Sequence, residues 1–267
     1  MSQPGLSSCC ASGYLHEGTP TGAVEKIANL NVYVSKPSSG SKAKSVLFIS
    51  DIFGWDYPNA RLLADEYAKA GFYVYVPDIL DNDPVDSKYL STICPKPEEQ
   101  ENPALNEGKP TINLGAWAAN HGDDVTRPRV DAIVSALRAD PEIKKLGAVG
   151  FCYGARYAIL IGSGNNSAID AIVANHPSML AIPGDYANVS KPILINNGDK
   201  DNFLSLSEVD KVKAELEKNK NLVSKIVIYP GASHGFTVRG DITNEHEKAT
   251  RDAAATETIA WFNQHLA

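Results

Sequence analysis

Cysteine is scarce in this chain of 267 residues: there are four, at positions 9, 10, 94 and 152. Four thiols are too few for a disulfide framework, and the vicinal pair could bridge only with strain, so a reducing compartment fits. Positive charge is also in short supply, with 25 Lys and Arg against 32 Asp and Glu and a formal net charge of −7. That balance argues against nucleic acid or an anionic membrane surface as a partner, because both repel an acidic protein. No apolar run approaches the length of a membrane span, and residues 1–13 lack both the basic start and the apolar stretch of a secretory signal. A cytoplasmic location is therefore expected. Internal repeats and domain-separating linkers are missing too, which leaves one domain over residues 1–267 as the expected organisation.

What is present is an ordinary globular composition, 43% hydrophobic and 21% charged, enough for one large core. Residues 1–20 carry no periodicity and read as coil. Cys9, Cys10 and His16 lie there, but three potential ligands without a fourth at the usual spacing do not close a zinc site, and no metal or other cofactor is expected. Residues 22–34 alternate as an antiparallel hairpin does. Residues 45–49 form a nearly all-apolar run suited to a strand buried on both faces. A helix over 59–70 and a strand over 72–76 follow. This alternation resumes with a helix over 125–139 and strands over 168–174, 192–196 and 225–229, interleaved with helices over 155–162, 208–218 and 244–265. The pattern predicts an α/β fold whose mostly parallel sheet has about eight strands, with helices on both faces and no large separate cap. Residues 78–126 interrupt it. Rich in proline and amides, with helical spacing only at 112–120, they read as an excursion covering a substrate site. Trp117, in that excursion, is a candidate pocket residue, although an aromatic there more often anchors the excursion to the body.

The chemistry centres on Ala148-Val149-Gly150-Phe151-Cys152-Tyr153-Gly154-Ala155, an apolar strand running into a tight turn and a helix. Glycines two residues either side of a cysteine make a nucleophile elbow with sulfur in the place of the commoner serine. The turn leaves no room for bulkier neighbours, and the helix N-terminus beside the sulfur favours a thiolate. Two further loops follow apolar strands: Gly198-Asp199-Lys200-Asp201 and Ser233-His234-Gly235-Phe236. Nucleophile, acid and histidine in that order are the chain order of the α/β-hydrolases. Cys152, Asp201 and His234 are therefore the expected catalytic triad, with Asp199 a competing acid and His176, after the strand next to the elbow, a rival base better suited to lining the pocket.

On these motifs, together with Asp51-Ile52-Phe53-Gly54, Val76-Pro77-Asp78 and Arg239-Gly240-Asp241, the chain resembles the dienelactone hydrolase family from about residue 22 onward. Cys9, Cys10 and His16 resemble its fungal branch. The resemblance implies hydrolysis of a small lactone or ester through a cysteine thioester, with the backbone N–H groups of Ile52 and Tyr153 as oxyanion hole. The alternatives are an accessory hydrolase or thioesterase of a polyketide-like pathway and a catalytically silent binder of the same fold. The partner expected is a small molecule, and the protein a monomer or homodimer. Two departures from the family bear on substrate. Asp51 stands where these lactonases carry glutamate, one methylene longer, and only one of their two carboxylate-binding arginines has a counterpart, Arg239, since no arginine occurs between Arg61 and Arg127. Arg239 is expected either to read a substrate carboxylate or to pair with Asp241. Asp51 is expected either to hold Cys152 as a protected thiol or to cap its own loop.

Overall fold

The computed structural model of the protein describes residues 15–267. Strands β1 (Ala23–Ile27) and β2 (Leu30–Ser35) pair antiparallel. Ala28 and Asn29 join them at φ 52° and 65°, the left-handed geometry a two-residue hairpin turn requires. Next come β3 (Lys44–Ile49), helix α1 (Pro58–Lys69) and β4 (Tyr73–Pro77). Helix α1 opens on proline, whose missing N–H would have been unsatisfied in a first turn anyway.

The excursion after β4 holds three short helices, α2 (Leu90–Ile93), α3 (Pro97–Glu101) and α4 (Leu114–Ala119). Sequence periodicity reveals only the last, because four or five residues make too little of a turn for a 3.6-residue repeat to show. The alternation then resumes with α5 (Asp123–Ala139), β5 (Lys145–Phe151), α6 (Tyr153–Ile161), β6 (Ala171–Asn175) and β7 (Ile193–Lys200). The chain closes with α7 (Leu206–Leu216), β8 (Ser224–Ser233), the short α8 (Phe236–Arg239) and α9 (Glu245–His265). Helix α7 starts in a capping box between Ser205 and Glu208, and Asn244 caps α9.

The sheet order is β1-β2-β4-β3-β5-β6-β7-β8, antiparallel at the β1/β2 and β2/β4 pairs and parallel elsewhere. One face packs on α5 and α6 through residues such as Val130, Ile133 and Tyr157. The other packs on α1 and α9 through Leu63, Tyr67, Trp261 and Phe262. Covered on both faces, β4 and β6 are buried at every residue, which is why they read as apolar runs without alternation. This is the α/β-hydrolase fold expected from the sequence. Because β3 continues to β4 on one side and β5 lies on its other side, the strand order reverses there, and the carboxyl ends of β3, β5, β6, β7 and β8 face one edge, the usual binding edge of such sheets.

Trp117 ties the excursion to the body. Its indole N–H donates to the Asp83 carbonyl at 3.0 Å, its ring stacks on His121 at 4.1 Å, and its edge meets Tyr153 at 5.6 Å. His16 is used in packing: its Nε2 is 2.9 Å from the Gly240 carbonyl and its backbone N–H donates to Asn59. Cys9 and Cys10 lie outside the described residues.

Candidate active site

The elbow is built from what its glycines leave out. A Cβ on Gly150 would lie 2.4 Å from the Gly154 carbonyl oxygen and 2.5 Å from Ala155 Cα, and one on Gly154 would lie 2.3 Å from the carbonyl oxygens of both Ile49 and Ser50. Strand β5 can therefore turn into α6 against β3 only with hydrogen at both places. Cys152, between them, has φ 53° and ψ −116°, strained for an L-residue and the kind of conformation an elbow nucleophile holds.

Asp201 follows β7. Its Oδ1 accepts the Phe203 and Leu204 backbone N–H groups at 2.7 and 3.1 Å, which fixes the carboxylate on its loop. Its two oxygens are 3.1 and 2.9 Å from His234 Nδ1. Asp199 instead accepts the Gly231 backbone N–H at 2.7 Å, a loop-bracing contact that leaves Asp201 as the acid beside the imidazole. With Nδ1 engaged, His234 Nε2 is buried and has no hydrogen-bond partner of ordinary geometry among the described residues. The Cys152 thiol is nevertheless close enough that the two groups shift each other. Burial opposes charging His234, but Asp201 and the thiolate outweigh it and raise its pKa well above the ordinary value. Burial pushes the Cys152 thiol up, and His234 and Arg239 more than offset this, leaving it below an ordinary thiol. Both directions favour a thiolate–imidazolium pair.

The thiol does not turn towards Asp51. Its hydrogen-bond partner is the buried Ser178 hydroxyl, with Sγ and Oγ 3.2 Å apart. Asp51 is committed elsewhere: Oδ1 accepts the Phe53 N–H at 2.9 Å, and Oδ2 pairs with Arg239 Nη1. The loop-capping expectation for Asp51 thus accounts for one oxygen, and an ion pair that the sequence reading did not foresee accounts for the other. The pairing of Arg239 with Asp241 is replaced by this pairing with Asp51, and Arg239 is buried rather than on the surface. Its Nη2 reaches Cys94 Sγ of the excursion at 3.4 Å, and its Nε has no partner among the described residues. The guanidinium lies over Gly235, at φ 88°, where a Cβ would sit 2.2 Å from Nη2.

His176 is fully buried, with Nε2 2.7 Å from the Thr237 hydroxyl and its ring 5.0 Å from that of His234. Burial, then the charges of His234 and Arg239, hold its pKa well below the ordinary histidine value, which favours the neutral ring. The Ile52 carbonyl accepts the Val85 N–H at 2.8 Å, pinning the excursion to the β3 loop. Tyr153 is the first residue of α6, and the N–H groups of a first helical turn have no partner within the helix. A cavity of about 180 Å³ opens beside His234, lined by Cys94 and Lys96 of the excursion and by Phe236, Arg239 and Thr250.

Sequence reasoning missed Ser178 and the site-facing position of Cys94. The signal for Ser178 was its place at the carboxyl end of β6, where His176 drew attention two residues earlier. Cys94 carried none, because the excursion offers no register from which to read direction.

A model of the dienelactone hydrolase family matches residues 30–266. Hydrolase tropI of Talaromyces stipitatus is 29% identical over 269 residues, covering 97% of this chain and 96% of that protein. Dienlactone hydrolase 1 of Gibberella moniliformis is 27% identical over 97% of this chain and 94% of its own. Among solved structures, the dienelactone hydrolase from Anabaena variabilis shares the fold with a TM-score of 0.60 at 18% identity, over 94% of this chain and 100% of that one. With a family model running from β2 to the end of α9 and thus through the elbow, the Asp201 loop and the His234 loop, the chain belongs to the dienelactone hydrolase family and is a hydrolase of the carboxylic ester and lactone class.

Proposed function

We propose that the protein hydrolyses a small, dienelactone-like lactone or ester through an acyl-thioester on Cys152. The observation that carries this reading is the buried Asp201–His234 pair, which holds one imidazole nitrogen and leaves the other unpartnered beside an elbow thiol. The thiolate attacks the carbonyl carbon, and the oxyanion that forms is received by the N–H groups of Ile52 and Tyr153. His234 then gives its proton to the departing alkoxide, and on the return step takes one from the water that attacks the thioester. Asp201 keeps the imidazole in the tautomer and orientation both transfers need. Arg239 lines the cavity, and its unpartnered Nε supports a role in reading a carboxylate on the substrate. The acidic net charge argues against nucleic acid or an anionic membrane surface as partner, and the scarcity of cysteine fits a reducing, cytoplasmic setting. No helix among the described residues is long and apolar enough to cross a membrane.

A second reading keeps the chemistry and changes the setting: an accessory hydrolase or thioesterase of a secondary-metabolite pathway, favoured by the similarity to the fungal hydrolase tropI. Both readings are tested by Cys152→Ala with a panel of aryl esters and lactones. The variant should fold and lose turnover by roughly 10⁴-fold or more, and the wild type should show an acyl-enzyme by intact mass that the variant lacks. Turnover by the folded variant near the wild-type rate would overturn the nucleophile assignment, and no turnover by either protein would favour a silent binder.

A further inference from the structure

The segment Asn175-His176-Pro177-Ser178, just past β6, is stapled to the elbow from both sides of the sulfur. The Cys152 N–H donates to the Asn175 carbonyl at 3.0 Å, and the Ser178 N–H donates to the Cys152 carbonyl at 3.2 Å. The His176 N–H donates to the Asn196 carbonyl at 2.7 Å, and its ring reaches Thr237, three residues beyond His234. The backbone therefore fixes Ser178 against Cys152, and its hydroxyl, in a side chain only 1% exposed, lies 3.2 Å from the sulfur.

Which atom donates follows from counting protons. The Ser178 hydroxyl has one hydrogen, and the Cys152 sulfur is the partner the structure provides for it. If the thiol donated to Ser178, that hydrogen would be left buried without an acceptor, and His234 Nε2 would also stay unpartnered. If Ser178 donates to sulfur, its hydrogen has an acceptor and the thiol proton is free to pass to Nε2. We infer that Ser178 is a thiol-positioning residue, hydrogen-bonded to Cys152 Sγ at one end of a row whose other end is the hydrogen-bonded His234–Asp201 pair. This rests on the reading of Cys152 as the nucleophile.

The row has a chemical consequence. Whether the sulfur carries a proton shared with Nε2 or is a thiolate facing an imidazolium, Ser178 donates to it, and it donates more strongly to the anion. It therefore stabilises the thiolate, and it restrains the sulfur at the tip of the turn. It has no proton to give up or take in the reaction and acts through the state of the sulfur.

The test is the pH dependence of iodoacetamide alkylation at Cys152, followed by peptide mass so that the other cysteines are counted separately. Removing one hydrogen bond to an anion should raise the alkylation midpoint of Ser178→Ala by about one pH unit, and slow alkylation roughly tenfold at pH values below both midpoints. Ser178→Thr, which keeps the hydroxyl, should return the midpoint towards wild type. A loss of packing alone would change melting temperature without moving this midpoint. A Ser178→Ala midpoint equal to or below that of the wild type overturns the inference, while Cys152→Ala remaining inactive would show that the nucleophile reading itself still stands.

Discussion

Arg239 and Asp51 come together from positions 188 residues apart, and their side chains are only 2% and 3% exposed. Asp51→Ala leaves the guanidinium where it is, because Gly235 lies beneath it, the Phe53 ring faces it at 5.0 Å and Cys94 meets Nη2. None of these contacts supplies a negative charge to replace the carboxylate. Removing one partner of a buried pair costs about 3–5 kcal/mol, since the other charge stays buried without compensation. The lost acceptor for the Phe53 N–H adds about 1 kcal/mol. In a domain of this size that corresponds to a fall in melting temperature on the order of 10 °C. Asp51→Asn should recover only the Phe53 contribution, whereas Asp51→Ala combined with Arg239→Met should regain most of the loss, because it removes the stranded charge as well. Equilibrium urea unfolding followed by tryptophan fluorescence measures all three. A loss below about 1 kcal/mol in Asp51→Ala, or a double variant no more stable than the single one, would refute the claim that this pair holds the β3 loop to α8.

Two further outcomes are expected. Gly154→Ala would ordinarily favour a helix by about 1 kcal/mol, yet here the added carbon meets two backbone oxygens of the β3 end that cannot swing aside. The sign should reverse to a loss of about 3 kcal/mol or an insoluble product, and a variant as stable as wild type in urea would contradict the elbow packing. His176 supplies the pH dependence: unfolded it takes up a proton below about pH 6.5, while folded its pKa lies well below that. The unfolded state then binds more protons, so stability should decline as pH falls through this range, by up to about 1.4 kcal/mol per pH unit. His176→Gln should flatten the decline between about pH 7 and 5, and an unchanged slope would show that the acid sensitivity lies elsewhere.

The elbow, the strand–helix alternation and the order of Cys152, Asp201 and His234 could be read from the sequence because each is a local signal repeated along one stretch. Glycines two residues from a nucleophile report a steric condition between near neighbours, and apolar runs such as β4 and β6 report burial on both faces. Asp201 and Asp199, two residues apart on one loop, part in the structure, the first meeting His234 Nδ1 and the second the Gly231 N–H. What escaped is long-range or directional. The Asp51–Arg239 pair depends on how the β3 loop meets α8, which no spacing encodes. Ser178 faces the sulfur because the β6 exit turns sharply, with His176 at φ 37° and Met179 at φ 54°, backbone values that side-chain chemistry does not announce. The excursion resisted reading for a third reason: its helices are too short for periodicity and start from prolines and caps that also mark turns.

The guanidinium lying over Gly235 makes two positions of the cavity wall dependent on each other, and so imposes an order on changes there. A side chain at 235 would collide with Arg239 Nη2, so substitutions at 235 fail while the arginine is present, beyond the strain its φ of 88° already imposes. Once Arg239 is shortened that collision disappears, and the strain of the left-handed backbone is what remains of these two obstacles at 235. A lineage or a laboratory library that reshapes this wall must pass through 239 before 235, and single-site scans taken separately will record 235 as intolerant when the intolerance belongs to the pair.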